Sequence, residues 1–263
     1  MILWIGIILG VILGAFGWIG VSVSEFIGRV DDMENGSSSN ALSLGKDDFI
    51  FINRWMLAGW IKWQKSFDIK SPAFLSRIMC FVLVLLTYIL SFWSKDFMWV
   101  GILYGIVTFA LFELAIVDWN TQYIPFEFSI IIFLCGLIQL FADVSNWEQY
   151  VIGLIAVSGF LYIVDIIATP ILRKKYGDDD ISHVIGDGDI KLMAATGLLL
   201  GWKLNFLALG LGCITGSVIH LLLMRIKKGE RQFAFGPYLS LGVYITMICG
   251  EQLVSWYLNM MRV

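Results

Sequence analysis

The chain has 263 residues, 59% of them hydrophobic and only 15% charged, with a formal net charge of -3 and a mean hydropathy of +0.81. A soluble domain carries about a quarter charged residues, so an ordinary soluble protein is excluded. The apolar residues run continuously rather than in alternation, which excludes a membrane β-barrel and leaves an all-α polytopic membrane protein. About eight transmembrane helices are expected, at residues 2–24, 76–94, 98–117, 128–143, 149–172, 190–202, 205–224 and 237–258.

The first stretch, MILWIGIILGVILGAFGWIGVSVS, has no basic start and no small-residue cleavage pattern before Ser24. It reads as a retained span over residues 1–24 rather than a cleaved signal peptide. Residues 25–75 form a cytoplasmic loop whose ENGSSSNALSLGKDD run has the composition of a flexible linker. Beyond it, Trp55, Trp60 and Trp63 interleave with Arg54, Lys62 and Lys65. That mixture suits an interfacial helix on anionic membrane lipid better than a nucleic-acid surface, and no nucleic-acid partner is expected. Residues 76–263 make the transmembrane core. Cys80, Cys135, Cys213 and Cys249 lie singly in apolar runs and read as small buried hydrophobes.

The basic residues orient the bundle. With the N-terminus outside, only Lys95, Lys203 and Arg262 fall outside, and the other fifteen of the 18 lysines and arginines fall inside. Both termini are therefore expected outside. The sixth segment is the weak one, since thirteen residues cover only about 20 Å of a roughly 30 Å hydrocarbon core. Were it re-entrant, the Arg225–Arg231 cluster would land outside, against the charge asymmetry. Eight spans are kept, with the sixth short or extended through Trp202.

This topology gathers carboxylates. Asp118 ends the third segment in DWNTQYIP, while Asp187 and Asp189 open the sixth in VIGDGDIKLMAATG, followed by Lys191. All three fall on the inner side. Pro125 marks the end of a short loop, because the residue before a proline resists helix. Gly186 and Gly188 permit positive φ and close backbone approach, leaving free N–H groups at a helix start. Plain alternatives remain at this point: Asp187 or Asp189 as a helix N-cap, or Asp118 as an ordinary interfacial charge. A calcium loop is disfavoured because DDDISHVIGDGD has no Glu at the downstream offset.

Two carboxylates about 4 Å apart repel by roughly 4 kcal/mol at an effective dielectric of 20, so a close pair shares one proton. One member then acts as base toward water while the protonated one donates to a scissile carbonyl. No Ser-His-Asp or Cys-His arrangement competes. Of the two histidines, His183 lies near enough to touch such a site and His220 lies deep in the seventh segment. Both read as packing or capping residues.

The GDGD of residues 186–189, followed by IKLMAATGLLLGW, resembles the GxGD signature of the type IV prepilin peptidases. DWNTQYIP at 118–125 is similar to that family's aspartate, short loop and proline. FAFGPYLSLG at 233–242 is similar to its FGP stretch before the last span, where Gly236 and Pro237 stand. The N-terminal ILGAFGWIGVSVSEFIGRV is loosely similar to its first span. The resemblance implies an aspartic endopeptidase of the bacterial inner membrane, with Asp118 and Asp189 catalytic. Gly186, Asp187, Gly188, Lys191, Pro125, Gly236 and Pro237 would then shape the site or meet substrate. Its substrates would be prepilin or pseudopilin precursors, cut after glycine behind a short basic leader at the cytoplasmic face. No cofactor is implied for proteolysis. S-adenosylmethionine enters only if N-methylation of the new terminus is retained, and that is left open. The chain departs from the pattern in two places. Residues 25–75 lack the paired cysteines that bind zinc in many members, and Asp187 adds a charge at the signature's variable position.

Two other readings are carried. GxGD also occurs in presenilin-like intramembrane proteases, which cut within a span. From a different class, Glu113, Asp165 and His220 lie inside spans and would suit an ion-coupled transporter. No inverted repeat accompanies them.

Overall fold

A computed structural model describes residues 82, 83, 86, 87, 98–122, 124–176, 183–226 and 234–261. The first span, the loop with its interfacial helix, and most of segment 76–94 lie outside the described residues. From residue 98 onward the described residues form six α-helices: α1 (Met98–Thr121), α2 (Phe126–Ala142), α3 (Trp147–Tyr176), α4 (Asp187–Leu200), α5 (Trp202–Ile226) and α6 (Gly236–Met261). There is no strand among the described residues. The described part of the protein is all-helical, and α1, α3 and α5 are long and apolar enough to cross a membrane. α2 is apolar but shorter, at 17 residues. α6 is long, at 26 residues, but carries Ser240, Thr246, Glu251 and Gln252 along its length.

The short α4 is the centre of the bundle. It packs against α2, α3, α5 and α6, and nine of its 14 residues are buried. Its polar first turns carry Asp187, Asp189 and Lys191, and its apolar remainder, residues 192–200, is almost wholly buried among those helices. It is not extended through Trp202, contrary to one expectation. Gly201, at φ 78, ends α4, and Trp202 begins α5. The corner is held from within. Asn205 is fully buried, donates its amide to the Met193 carbonyl (2.8 Å) and accepts the Thr196 hydroxyl (2.9 Å). Both bonds tie the C-terminal half of α4 to the start of α5, satisfying polar groups that would be costly to bury unpaired.

The α2–α3 corner uses the same chemistry near solvent. Asp143 ends α2, and its carboxylate accepts bonds from Ser145, Asn146 and the Tyr150 hydroxyl across a 3-10 turn, Val144–Asn146. The core between the helices is aliphatic, with Val107, Leu114, Ile132, Val157, Leu192 and Leu239 almost fully buried.

Candidate active site

Two helix ends meet at one end of the bundle. Asp118 lies in the last turn of α1 and Asp189 in the first turn of α4, and both are buried despite their charge (4% and 8% exposed). The chain leaves α1 through Gln122, whose positive φ of 54 turns it back on itself, and enters α2 through Pro125 in an extended conformation. That tight return carries Ile124 against the start of α4. A Cβ on Gly188 would lie 2.6 Å from the Ile124 Cβ, so the glycine is needed for close approach. It is not needed for a positive φ. Gly188 is helical and Gly186 has φ -64, ψ 135, so the expected left-handed glycines are absent from this loop.

Neither Asp187 nor Asp189 is the N-cap, contrary to the plain alternative. Gly186 holds that position, Asp187 is the first helical residue, and the Asp189 N–H closes a turn onto the Gly186 carbonyl at 3.0 Å. Asp187 is exposed, while Asp189, two residues on, turns inward.

The third contributor is the start of α6. The Gly236 N–H donates to Asp118 Oδ2 at 2.9 Å, across 118 residues of sequence. A Cβ on Gly236 would sit 2.6 Å from that same oxygen, so a side chain there would displace the carboxylate. Trp119 and Tyr238 pack edge to face at 6.4 Å between centroids and fix the α1 end against the α6 start. Pro237 faces the other way, into an apolar groove between α1 and α6, and Pro125 is a buried helix cap. Both act on the site through backbone geometry.

Asp118 and Asp189 open onto a cavity of about 380 Å³, also lined by Gln122, Ser129, Asp187 and Lys191. Lys191 reaches over the Phe126 ring at 5.7 Å from its centroid. Burial, with the Asp118 charge beside it, pushes the Asp189 carboxyl up to about 7. Asp189 Oδ1 and Ser129 Oγ have no hydrogen-bond partner among the described residues, although both residues line the cavity. Two carboxylates, a hydroxyl and a neighbouring cation can together position a polar substrate and move a proton. Among the described residues no group of His, Cys, Asp and Glu has the arrangement to hold a metal ion.

Gln122, Ile124 and Ser129 were not anticipated from sequence. Their signal was position alone: they flank Pro125, between the two segments that carry the carboxylates. His183 is 57% exposed and pairs with Asp165, not with the carboxylates. His220 lies in α5, well past the α4–α5 corner.

Residues 105–221 match the type IV leader peptidase family. That stretch contains Asp118 and Asp189 and the whole of α2, α3 and α4. Proteins named prepilin leader peptidase/N-methyltransferase are similar over the same region. The one from Aeromonas salmonicida is 29% identical over 158 residues, covering 59% of this chain and 51% of the relative. That from Dickeya chrysanthemi is 32% identical over 57% of this chain and 53% of its own length. That from Legionella pneumophila reaches 38% over a shorter stretch, 28% of this chain and 27% of the relative. The chain thus spans about half the length of the curated relatives it matches over longer stretches. No solved structure matches it.

Proposed function

We propose that this chain, similar over residues 105–221 to the type IV leader peptidases, is an aspartic endopeptidase that removes the leader from prepilin-like precursors. The observation that carries the reading is a buried pair of aspartates, from the end of α1 and the start of α4, facing one polar cavity. Asp189 holds the shared proton, because its burial and the neighbouring charge disfavour a second negative charge. Asp118, fixed by the Gly236 N–H, takes a proton from water as the water oxygen attacks the scissile carbonyl. Asp189 gives its proton to the carbonyl oxygen, forming a neutral gem-diol. When the C–N bond breaks, the departing amine takes a proton and the new carboxyl group forms, restoring one proton to the pair.

The cavity end of the bundle is also where α3 ends in Arg173, Lys174 and Lys175. Basic residues favour the cytoplasmic side, so cleavage is assigned to the cytoplasmic face of a bacterial inner membrane. Asp187 and Lys191 at the cavity rim are assigned to substrate contact. The reading concerns proteolysis alone. Methylation, named in the relatives, would need S-adenosylmethionine.

The test is co-expression with a prepilin, followed by mass spectrometry of the product N-terminus. Cleavage after glycine at the cytoplasmic edge is expected, and the same spectrum reports any added methyl group. A cut within the span, or uptake of an ion in proteoliposomes without any cleavage, overturns the assignment. The shared proton also sets a pH dependence. Cleavage is expected to fall about tenfold per pH unit above roughly 7, as Asp189 loses the proton it must donate. A rate unchanged up to pH 9 would remove Asp189 from the role of acid.

A further inference from the structure

Asp165 has no part in the chemistry just described, yet it is buried in the middle of α3 (3% exposed). Four donor groups converge on its carboxylate. Oδ1 accepts the main-chain N–H groups of Val184 (2.7 Å) and Ile185 (2.9 Å) and the Thr169 hydroxyl (3.1 Å). Oδ2 meets His183 Nδ1 at 2.7 Å. Three of these four donors lie on consecutive residues, 183 to 185, directly before Gly186. That segment has no helix or sheet partner to satisfy its amides, so Asp165 supplies the acceptor that secondary structure would otherwise provide.

Asp189 owes its position to the path of this segment. Its N–H bonds to the Gly186 carbonyl, and Gly186 follows Ile185 by a single peptide unit. A shift of residues 184 and 185 would therefore move the first turn of α4. We propose that Asp165 is a positioning residue, which clamps residues 183–185 and thereby sets Asp189 opposite Asp118. This rests on the peptidase reading for its catalytic consequence, and not for the clamp itself. A charge that transports an ion must be free to exchange its partners; three short contacts to one loop, with a fourth from Thr169 of the same helix, describe an anchor instead. Misplacement of a reacting group by about 1 Å can cost about 100-fold in rate, which sets the size of the expected effect.

The experiment compares Asp165→Ala, Asp165→Asn and His183→Ala in the full-length chain, reading prepilin cleavage and amide hydrogen exchange together. Asp165→Ala is expected to lower kcat by about 100-fold with KM changed by less than about threefold. Asparagine keeps an oxygen for the two amides, so Asp165→Asn should restore kcat to within about threefold of the parent. Exchange at Val184 and Ile185 should quicken in the alanine variant and not in the asparagine variant, with α5 amides unchanged. His183 is mostly exposed and can be replaced without risk to folding, so His183→Ala should give a smaller loss in the same direction. The proposal is overturned if exchange at 184 and 185 is unaltered in Asp165→Ala. It is equally overturned if Asp165→Asn is as inactive as alanine, which would mean that the charge itself is used. Should the parent chain cleave no prepilin, the peptidase reading fails while the exchange data still decide the clamp.

Discussion

Asp118→Asn and Asp189→Asn are each expected to lower leader removal by about 1000-fold or more, while the protein reaches the membrane in normal amount. Each variant removes one half of the buried proton-transfer pair, and Asp187, the third carboxylate lining the cavity, is exposed rather than buried beside its partner. Lys191 and Ser129 also line the cavity, where they can orient a substrate. The measurement is processing of a co-expressed prepilin, with membrane content of the variant followed in parallel. Full processing by either variant would end the assignment. Stability should move in the opposite direction. In the folded chain Asp189 is raised from 3.8 to about 7, so the native state binds a proton that the unfolded chain releases. Stability therefore falls as pH rises from about 4 to about 7, and above that the native state carries the whole cost of the charge, about 4 kcal/mol for a displacement of this size. Asp189→Asn removes that cost and leaves a neutral amide to bury. Its thermal midpoint should exceed the parent's by several degrees at pH 8 and lose that advantage near pH 4. A variant less stable than its parent at pH 8 would show that the buried carboxylate is compensated by contacts not accounted for.

The pairing of Asp118 with Asp189 was legible because two independent signals converge on it. Charge asymmetry put the end of one apolar segment and the start of another on one side, and the acidic residues stand at those ends. Helix boundaries followed apolar runs to within a few residues, with Pro125 and Gly201 as punctuation. The contacts of Asp165 were not legible, for a physical reason. Periodicity places it inside an apolar helix, where an ionisable group invites a functional explanation, but its partners are backbone amides of a loop 20 residues away. Amides carry no sequence signature, so no pattern could have announced them. The glycines of GDGD were legible in part: close approach holds at Gly188, while the positive φ is absent. Left-handed backbone is a property of the single residue, whereas the reason for Gly188 is Ile124, a contact made only after α1 and α2 fold back onto α4. Pro237 shows the same limit, since its motif marks the start of α6 but not the side it faces.

Gly197→Ala is expected to destabilise the bundle more than any other single-methyl change in α3 or α4. Gly197 of α4 and Gly153 of α3 face each other, and a Cβ on either would enter the other's carbonyl oxygen. On Gly197 it would also lie 2.8 Å from Asn205 Nδ2, the amide that closes the α4–α5 corner. The Gly153 carbonyl is main chain, and the Asn205 amide is held by two buried hydrogen bonds, so the backbones themselves must separate. Membrane helices are held largely by such close packing, because lipid is as apolar as the side chains it would replace. Forcing α3 off α4 is an overpacking cost of about 3 kcal/mol, or roughly 10 °C in thermal midpoint for a chain of this size. Gly159 of α3 and Gly210 of α5 supply the contrast, since a Cβ at either meets nothing within 4 Å. Alanine there should gain up to about 1 kcal/mol from helix propensity alone. The comparison is a thermal-unfolding series in detergent on the three single variants. If Gly197→Ala tracked Gly159→Ala, the two backbones would not be in contact. Should it destabilise as expected, cleavage should fall with it even below the melting range, because α4 also carries Asp189 and any displacement of the helix moves the carboxylate away from Asp118.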